Sequence, residues 1–336
     1  MAPWTENNHT DARLLLEDFA LDYLRDKDHH RDVKTEDLAE AFRAFCGLPP
    51  FPTLRHLQSI CEKLGIALEE LEARVPGLSA INTSTGARHS IYVRRDVSVA
   101  HVESSICHEL REVIEQTFRR VRPDYEGIET HDNPVMNPRS DHFAGCLLMQ
   151  GDVTKTMIES LGYDFVAFAD RVGRSLSSVI VRAQELYSVS QPIGIVGGVW
   201  LFELPWTEVP AQFIPPTALR LSQKAHLSGF SIQSRKKGER SPHGIYFPRR
   251  GSVVVDFDIA LRAYRSRAPI IALVEGFDLF PDRNFLVAAE PIVSGGVPWR
   301  ILMTAVRNDY VDRVEPWTAR LGVPWRVMPY ASTQVS

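Results

Sequence analysis

The sequence predicts an α+β protein, mostly helical at first with one small sheet, and β-rich at its end. Three observations carry this. Apolar residues recur at helical spacing up to about Val189. One short run of β-formers, His89–Arg94, interrupts that helical part. From Pro192 onward the texture changes to short runs of β-branched and aromatic residues punctuated by Pro and Gly.

Residues 10–25 have the pattern of an amphipathic helix, with Leu14, Leu15, Phe19, Leu21 and Leu24 inward and Thr10 or Asp11 as cap. A second helix starts at Thr35, turns Leu38, Ala41, Phe42 and Phe45 inward, and stops at Gly47-Leu48-Pro49-Pro50. A third runs from Thr53 to Leu64, with Gly65 as a left-handed terminator. His89–Arg94 is a strand. Ser98 caps the next helix, Val99 to Val121, on which Val99, Val102, Ile106, Val113, Ile114 and Val121 recur. Asn137 caps a further helix, with Pro138 at its first position and Phe143, Ala144, Leu147, Leu148 and Met149 along it. Two or three helices fill 152–188. The β-type runs are Ile193–Leu204, Ser252–Phe257, Ile270–Glu275, Phe285–Pro291 and Arg300–Val306. The expected organisation is a first domain over 1–150, a helical segment over 151–190 and a C-terminal α+β domain over 191–336.

The bulk numbers exclude several classes. A chain of 336 residues with 44% hydrophobic and 24% charged content is an ordinary globular composition. A net charge of -4 gives no global pull toward nucleic acid. Cys46, Cys61, Cys107 and Cys146 form no CxxC pair, and so few thiols suit a reducing compartment. Met1 to His9 is polar, unlike a signal peptide, and no apolar run is long enough to span a bilayer. A cytoplasmic protein without a membrane partner is expected.

The chemistry concentrates in Ser105-Ile106-Cys107-His108-Glu109-Leu110-Arg111-Glu112. On a helix, positions i and i+4 lie one turn apart on the same face, so His108 and Glu112 can reach one metal ion. Glu109 lies close enough to serve as a base beside it. Cys107 points elsewhere and reads as a small core residue. Farther on, Asp141-His142-Phe143-Ala144-Gly145-Cys146-Leu147-Leu148-Met149-Gln150 resembles the FAAxLLMP helix of the ImmA/IrrE metallopeptidase-like family. The order Leu54–Leu64 helix, Gly77-Leu78-Ser79-Ala80, strand 89–94 and HExx helix resembles that family too, over roughly residues 50–190. The resemblance implies a zincin-like domain that takes zinc and acts on a repressor-type partner, controlling stress or mobile-element genes. Some members end in a GAF-like sensor domain, to which 191–336 is similar in size and texture.

The chain departs from the family at two ligands. Glu112 stands where a second His is usual, and Arg139 stands where a Glu is usual. A guanidinium stays protonated and does not ligate zinc. Two readings arise. In one, an Arg139–Glu112 ion pair replaces the metal and the protein is a pseudo-enzyme. In the other, His108 and Glu112 keep zinc with a third ligand from Asp141, His142, His131 or Asp132. His101 is two turns before His108 and too far.

Ala169, Gly173 and Val179 have the relative spacing of a helix-turn-helix, with Ser175–Leu186 as its second helix. Arg171, Arg174, Ser177, Ser178 and Arg182 would form its reading face on DNA; the alternative is a pair of helices that only pack. The basic run Ser234 to Arg240, with Arg249 and Arg250, reads as a solvated loop or a phosphate contact. Phe230, Tyr246, Phe247, Phe257 and Trp299 read as core. The functional expectation is a regulatory protein with a metallopeptidase-like domain and an unidentified small ligand at its C-terminal domain. The alternative is a ligand-sensing, DNA-binding transcription regulator.

Overall fold

The computed structural model describes residues 7–71, 80–85, 88–94, 96–127, 136–186, 198–203, 226–228, 259, 262–263, 266–277, 280–294, 297–307, 314–322 and 326–329. Ser252–Phe257, the basic run 234–240, Arg249, Arg250, Phe230, Tyr246, Phe247, His131 and Asp132 lie outside the described residues. The fold is α+β, as the sequence predicts. The chain divides into two units, Met1–Thr154 with Val172–Ser175, and Lys155–Arg171 with Leu176–Ser336. Among the described residues, no helix is long and apolar enough to cross a membrane.

The first unit opens with α1 (Asn7–Leu24), α2 (Thr35–Cys46) and α3 (Leu54–Lys63). The inward stripe of α1 is Leu16, Phe19, Ala20 and Leu24, at intervals of three and four. Leu15 and Leu21, expected inward, are 45% and 49% exposed, because the stripe runs one position away from them. The helix also starts by Asn7, so Thr10 and Asp11 are within it rather than capping it. Phe45 is 43% exposed but keeps its ring against Phe19, centroids 5.1 Å apart. Thr53 caps α3 in a capping box with His56. Gly65 follows with φ +67, the left-handed conformation that a side chain resists.

Three short strands come next: β1 (Ile66–Glu70), β2 (Ala80–Thr85) and β3 (Arg88–Val93). Their order is β1-β3-β2, with β1 parallel and β2 antiparallel to β3. Only β3 is legible as a run of β-formers. The helix α4 (Val99–Val121) begins where Ser98 Oγ accepts from the His101 amide, 3.3 Å. Its packing partners include α1, α3, α5 (Met136–Leu148), β2 and β3. Ile106, Cys107, Leu110, Val113, Ile114 and Phe118 are buried on it. Phe118 is sandwiched by aromatic neighbours, its ring 5.8 Å from Tyr23 and 5.8 Å from Tyr125. Pro138 is the third residue of α5, not the first, but still in the turn whose amides lack helical acceptors.

The same helix buries charge. Glu103 accepts from the Leu54 amide at 2.6 Å and pairs with Arg174, which also donates to the Pro52 carbonyl. Arg111 pairs with Glu115 at 2.7 Å, both out of solvent.

Helices α6 (Gly151–Ser160), α7 (Phe165–Val172) and α8 (Leu176–Leu186) follow. Gly173 joins α7 to α8 with φ +65 and open space around its α-carbon, so conformation rather than crowding calls for glycine. The second unit holds a six-stranded sheet made of β4 (Gly198–Glu203), β5 (His226–Ser228), β6 (Ile270–Phe277), β7 (Phe280–Ser294), β8 (Val297–Arg307) and β9 (Arg326–Pro329). The order is β5-β4-β8-β7-β6-β9, antiparallel except for β6 with β9. Leu286 to Glu290 are consecutively buried, so β7 is covered on both faces. Arg320, on α9 (Glu315–Leu321), donates to both Glu290 oxygens at 2.9 and 2.8 Å and also to Asp164. Asp164 in turn caps α7 through the Ala167 amide, 2.9 Å.

Two outcomes test this packing. Arg174→Ala leaves Glu103 charged and buried, and should lower unfolding free energy by about 3–5 kcal/mol in urea melts; a loss within ~0.5 kcal/mol would remove the ion pair from the core. Burial pushes the Cys46 and Cys61 thiols from 9.0 up to about 12. Because the unfolded chain then releases these protons first, stability should hold below pH 9.0 and fall as pH rises toward 12. Urea melts on either side of pH 9.0 check the sign.

Candidate metal centre

The site forms where α4 passes between β2 and α5. His108 and Glu112 stand one turn apart on α4, with His108 Nε2 3.5 Å from Glu112 Oε1. From α5, Asp141 Oδ1 lies 2.8 Å from the other ring nitrogen, His108 Nδ1. From β2, Asn82 Nδ2 donates to Glu109 Oε2 at 2.7 Å and to Glu112 Oε2 at 2.8 Å. Gln116, one turn beyond Glu112, donates to Asn82 Oδ1 at 2.9 Å. Asn82, Glu109 and Glu112 are buried, whereas the Asp141 side chain is 76% exposed.

These groups set one another's protonation. Burial alone would pull the His108 pKa down. Its hydrogen bonds with Asp141 and Glu112, and the charges of Asp141 and Glu109, outweigh that and carry it up to about 10. Burial raises the Glu109 carboxyl, and the Glu112 charge adds to it; the Asn82 hydrogen bond and the His108 charge oppose the rise. The locus is therefore a negative field around one imidazole, which a proton relieves here and a divalent cation would relieve equally.

The donor set fits a zinc-class cation at two positions. Bonds of about 2.0 Å in a tetrahedral site put ligand atoms roughly 3.3 Å apart. The 3.5 Å between His108 Nε2 and Glu112 Oε1 is close to that. The contact of Asp141 to Nδ1 gives it an orienting position behind the ring, an arrangement common among metal-binding histidines.

The predicted residues separate into two groups. His108, Glu109, Glu112 and Asp141 converge. His142 is half-buried on α5, one residue past Asp141. Arg139 contributes no ion pair to Glu112 among the described residues; its Nη1 is buried without a hydrogen-bond partner, and its charge falls on Tyr125. Of the three arginines read as a DNA face, Arg171 is exposed. Arg174 is buried on Glu103, and Arg182 is buried and paired with Glu185 at 3.2 Å. They do not form one exposed basic face. Ala169 and Val179 are buried, as the spacing requires.

Sequence reasoning missed Asn82 and Gln116. The signal for Asn82 is faint but real: in Ala80-Ile81-Asn82-Thr83 the alternation buries Ala80 and Asn82 and exposes Ile81. An Asn turned inward beside a helix of carboxylates has a polar task.

No family model matches this chain, and no curated protein matches it. Among solved structures it is similar to a Mycobacterium tuberculosis transcriptional regulator, at 13% identity and a TM-score of 0.50. The alignment covers 94% of this chain and 87% of that one, a likeness of fold.

Proposed function

We propose that this chain is a regulatory protein with an ImmA/IrrE-type metallopeptidase-like domain, which takes zinc at His108 and Glu112 and acts on a repressor-type protein partner. The observation that carries the reading is the 3.5 Å approach of His108 Nε2 to Glu112 Oε1, with Asp141 behind the ring. Zinc bound there would supply Lewis-acid polarisation of a peptide carbonyl. Asp141 holds Nδ1 and leaves Nε2 to face the cation. Glu109, its affinity for protons raised by burial, is the group placed to accept a proton from an attacking water. A third protein ligand is to be sought, in the segment outside the described residues, at His131 or Asp132; His142 lies by Cys146 instead. A non-cleaving protein that binds its partner is the reading that a metal-free chain would favour.

The C-terminal part, over about 191–336, fits a GAF-like sensor for a small ligand in its size and in the mostly antiparallel sheet of its described residues. A cytoplasmic setting suits the free thiols of the chain. A second reading, a ligand-sensing DNA-binding regulator, draws on the α7–Gly173–α8 geometry and on the likeness of fold to the mycobacterial transcriptional regulator.

Protein purified without chelators should carry about one zinc per chain, and His108→Ala should abolish it. Glu109→Gln should keep the metal while slowing cleavage of the partner by about 10²–10⁴. Wild-type protein that holds no zinc after dialysis against it sinks the reading. For the second, a mobility shift with salt-sensitive binding that is lost in Arg171→Ala would be required.

A further inference from the structure

The amide of Asn82 is placed in a way the metal-site reading does not by itself explain. One nitrogen, on a residue 2% exposed, donates to two carboxylates from successive turns of α4. An amide nitrogen has two hydrogens, so each carboxylate receives one. The Asn82 side chain takes Oε2 of both residues rather than the other oxygen of either. For Glu112 that other oxygen, Oε1, is the one turned toward His108 Nε2.

The amide has a fixed sense. The carboxylates can only accept, so Nδ2 faces them, and Oδ1 is left to accept from Gln116. Turned over, Oδ1 would lie against two anionic oxygens at hydrogen-bond distance, with no proton between them. Asn82 sits opposite Ile91 in the β2–β3 ladder, on a strand packed against α4.

We propose that Asn82 is a positioning residue of the site, an amide clamp that holds Glu109 and Glu112 in one fixed arrangement for a divalent cation, with Gln116 setting the sense of the clamp. The proposal rests on the zinc reading above for its purpose, but its geometry is independent of any metal. Loss of the clamp removes the donor that these two buried carboxylates share. The two carboxylates then separate, which displaces the oxygen offered beside His108.

The test uses the full chain and zinc itself, by competition with a chromophoric chelator. Asn82→Ala should weaken zinc binding by about 10- to 100-fold. Gln116→Glu keeps Asn82 but asks its nitrogen to turn toward the new carboxylate, and should cost a similar factor; a residue that merely fills space would not respond to that change. Circular dichroism checks folding, and Gln116→Glu serves if Asn82→Ala does not fold. Wild-type zinc affinity in either folded variant overturns the clamp. A separate readout needs no metal: selective ¹⁵N-asparagine labelling, with Asn82 assigned by its absence in Asn82→Ala. Slow exchange of its side-chain protons supports the clamp, and rapid exchange overturns it. A wild-type chain that takes no zinc yet keeps those protons slow overturns the metal reading alone.

Discussion

Helix α4 buries five charged side chains, Glu103, Glu109, Arg111, Glu112 and Glu115, in the middle of the first unit. Charges removed from water are costly unless each is answered by a partner and by hydrogen bonds. The surrounding elements are arranged to answer them. Arg174 and the Leu54 amide meet Glu103, Arg111 meets Glu115, and Asn82 meets Glu109 and Glu112 together. The start of α3, the strand β2 and the turn after α7 are thereby tied to one helix by polar contacts as well as by the apolar residues around Phe118.

Not all of these answers have the same meaning. The Glu103–Arg174 and Arg111–Glu115 pairs each set one cation against one anion, which is what a structural ion pair does. The group around His108 does not. Three carboxylates, Glu109, Glu112 and Asp141, lie around one imidazole, and the hydrogen bonds and charges they offer it raise its pKa. A cluster of buried carboxylates around one imidazole favours positive charge at that place. The buried amide of Asn82 can orient carboxylates but adds no charge. Scaffold and chemistry meet here, because the packing that fixes α4 against β2 and α5 also fixes the direction of every donor.

In the second unit a smaller version of the same logic links distant segments. Arg320 bridges Glu290 of the central strand β7 and Asp164, the cap of α7. Burial raises the Glu290 carboxyl, and the Arg320 guanidinium counters that rise. An Asp that caps a helix and also accepts from arginine has its two oxygens committed in different directions, so the helix start and the sheet share one anchor.

The α+β class, the span of α4 from Val99 to Val121, the start of α2 at Thr35 and the i,i+4 placement of His108 and Glu112 were legible in the sequence. They depend on local periodicity, capping and turn chemistry, which act within a few residues. The strands β1 and β2, the exposure of Leu15 and Leu21, and the withdrawal of Arg174 and Arg182 from solvent were not. Arg174 reads as a surface charge until Glu103, 71 positions away, is brought to it. Asn82 reads as a strand polar residue until α4 sets two carboxylates before it, 27 and 30 positions on. The sequence by itself determined which residues share a helix face. The tertiary structure decided which charges are brought together and buried, because electrostatic pairing in a buried place depends on distance in space and on lost solvent.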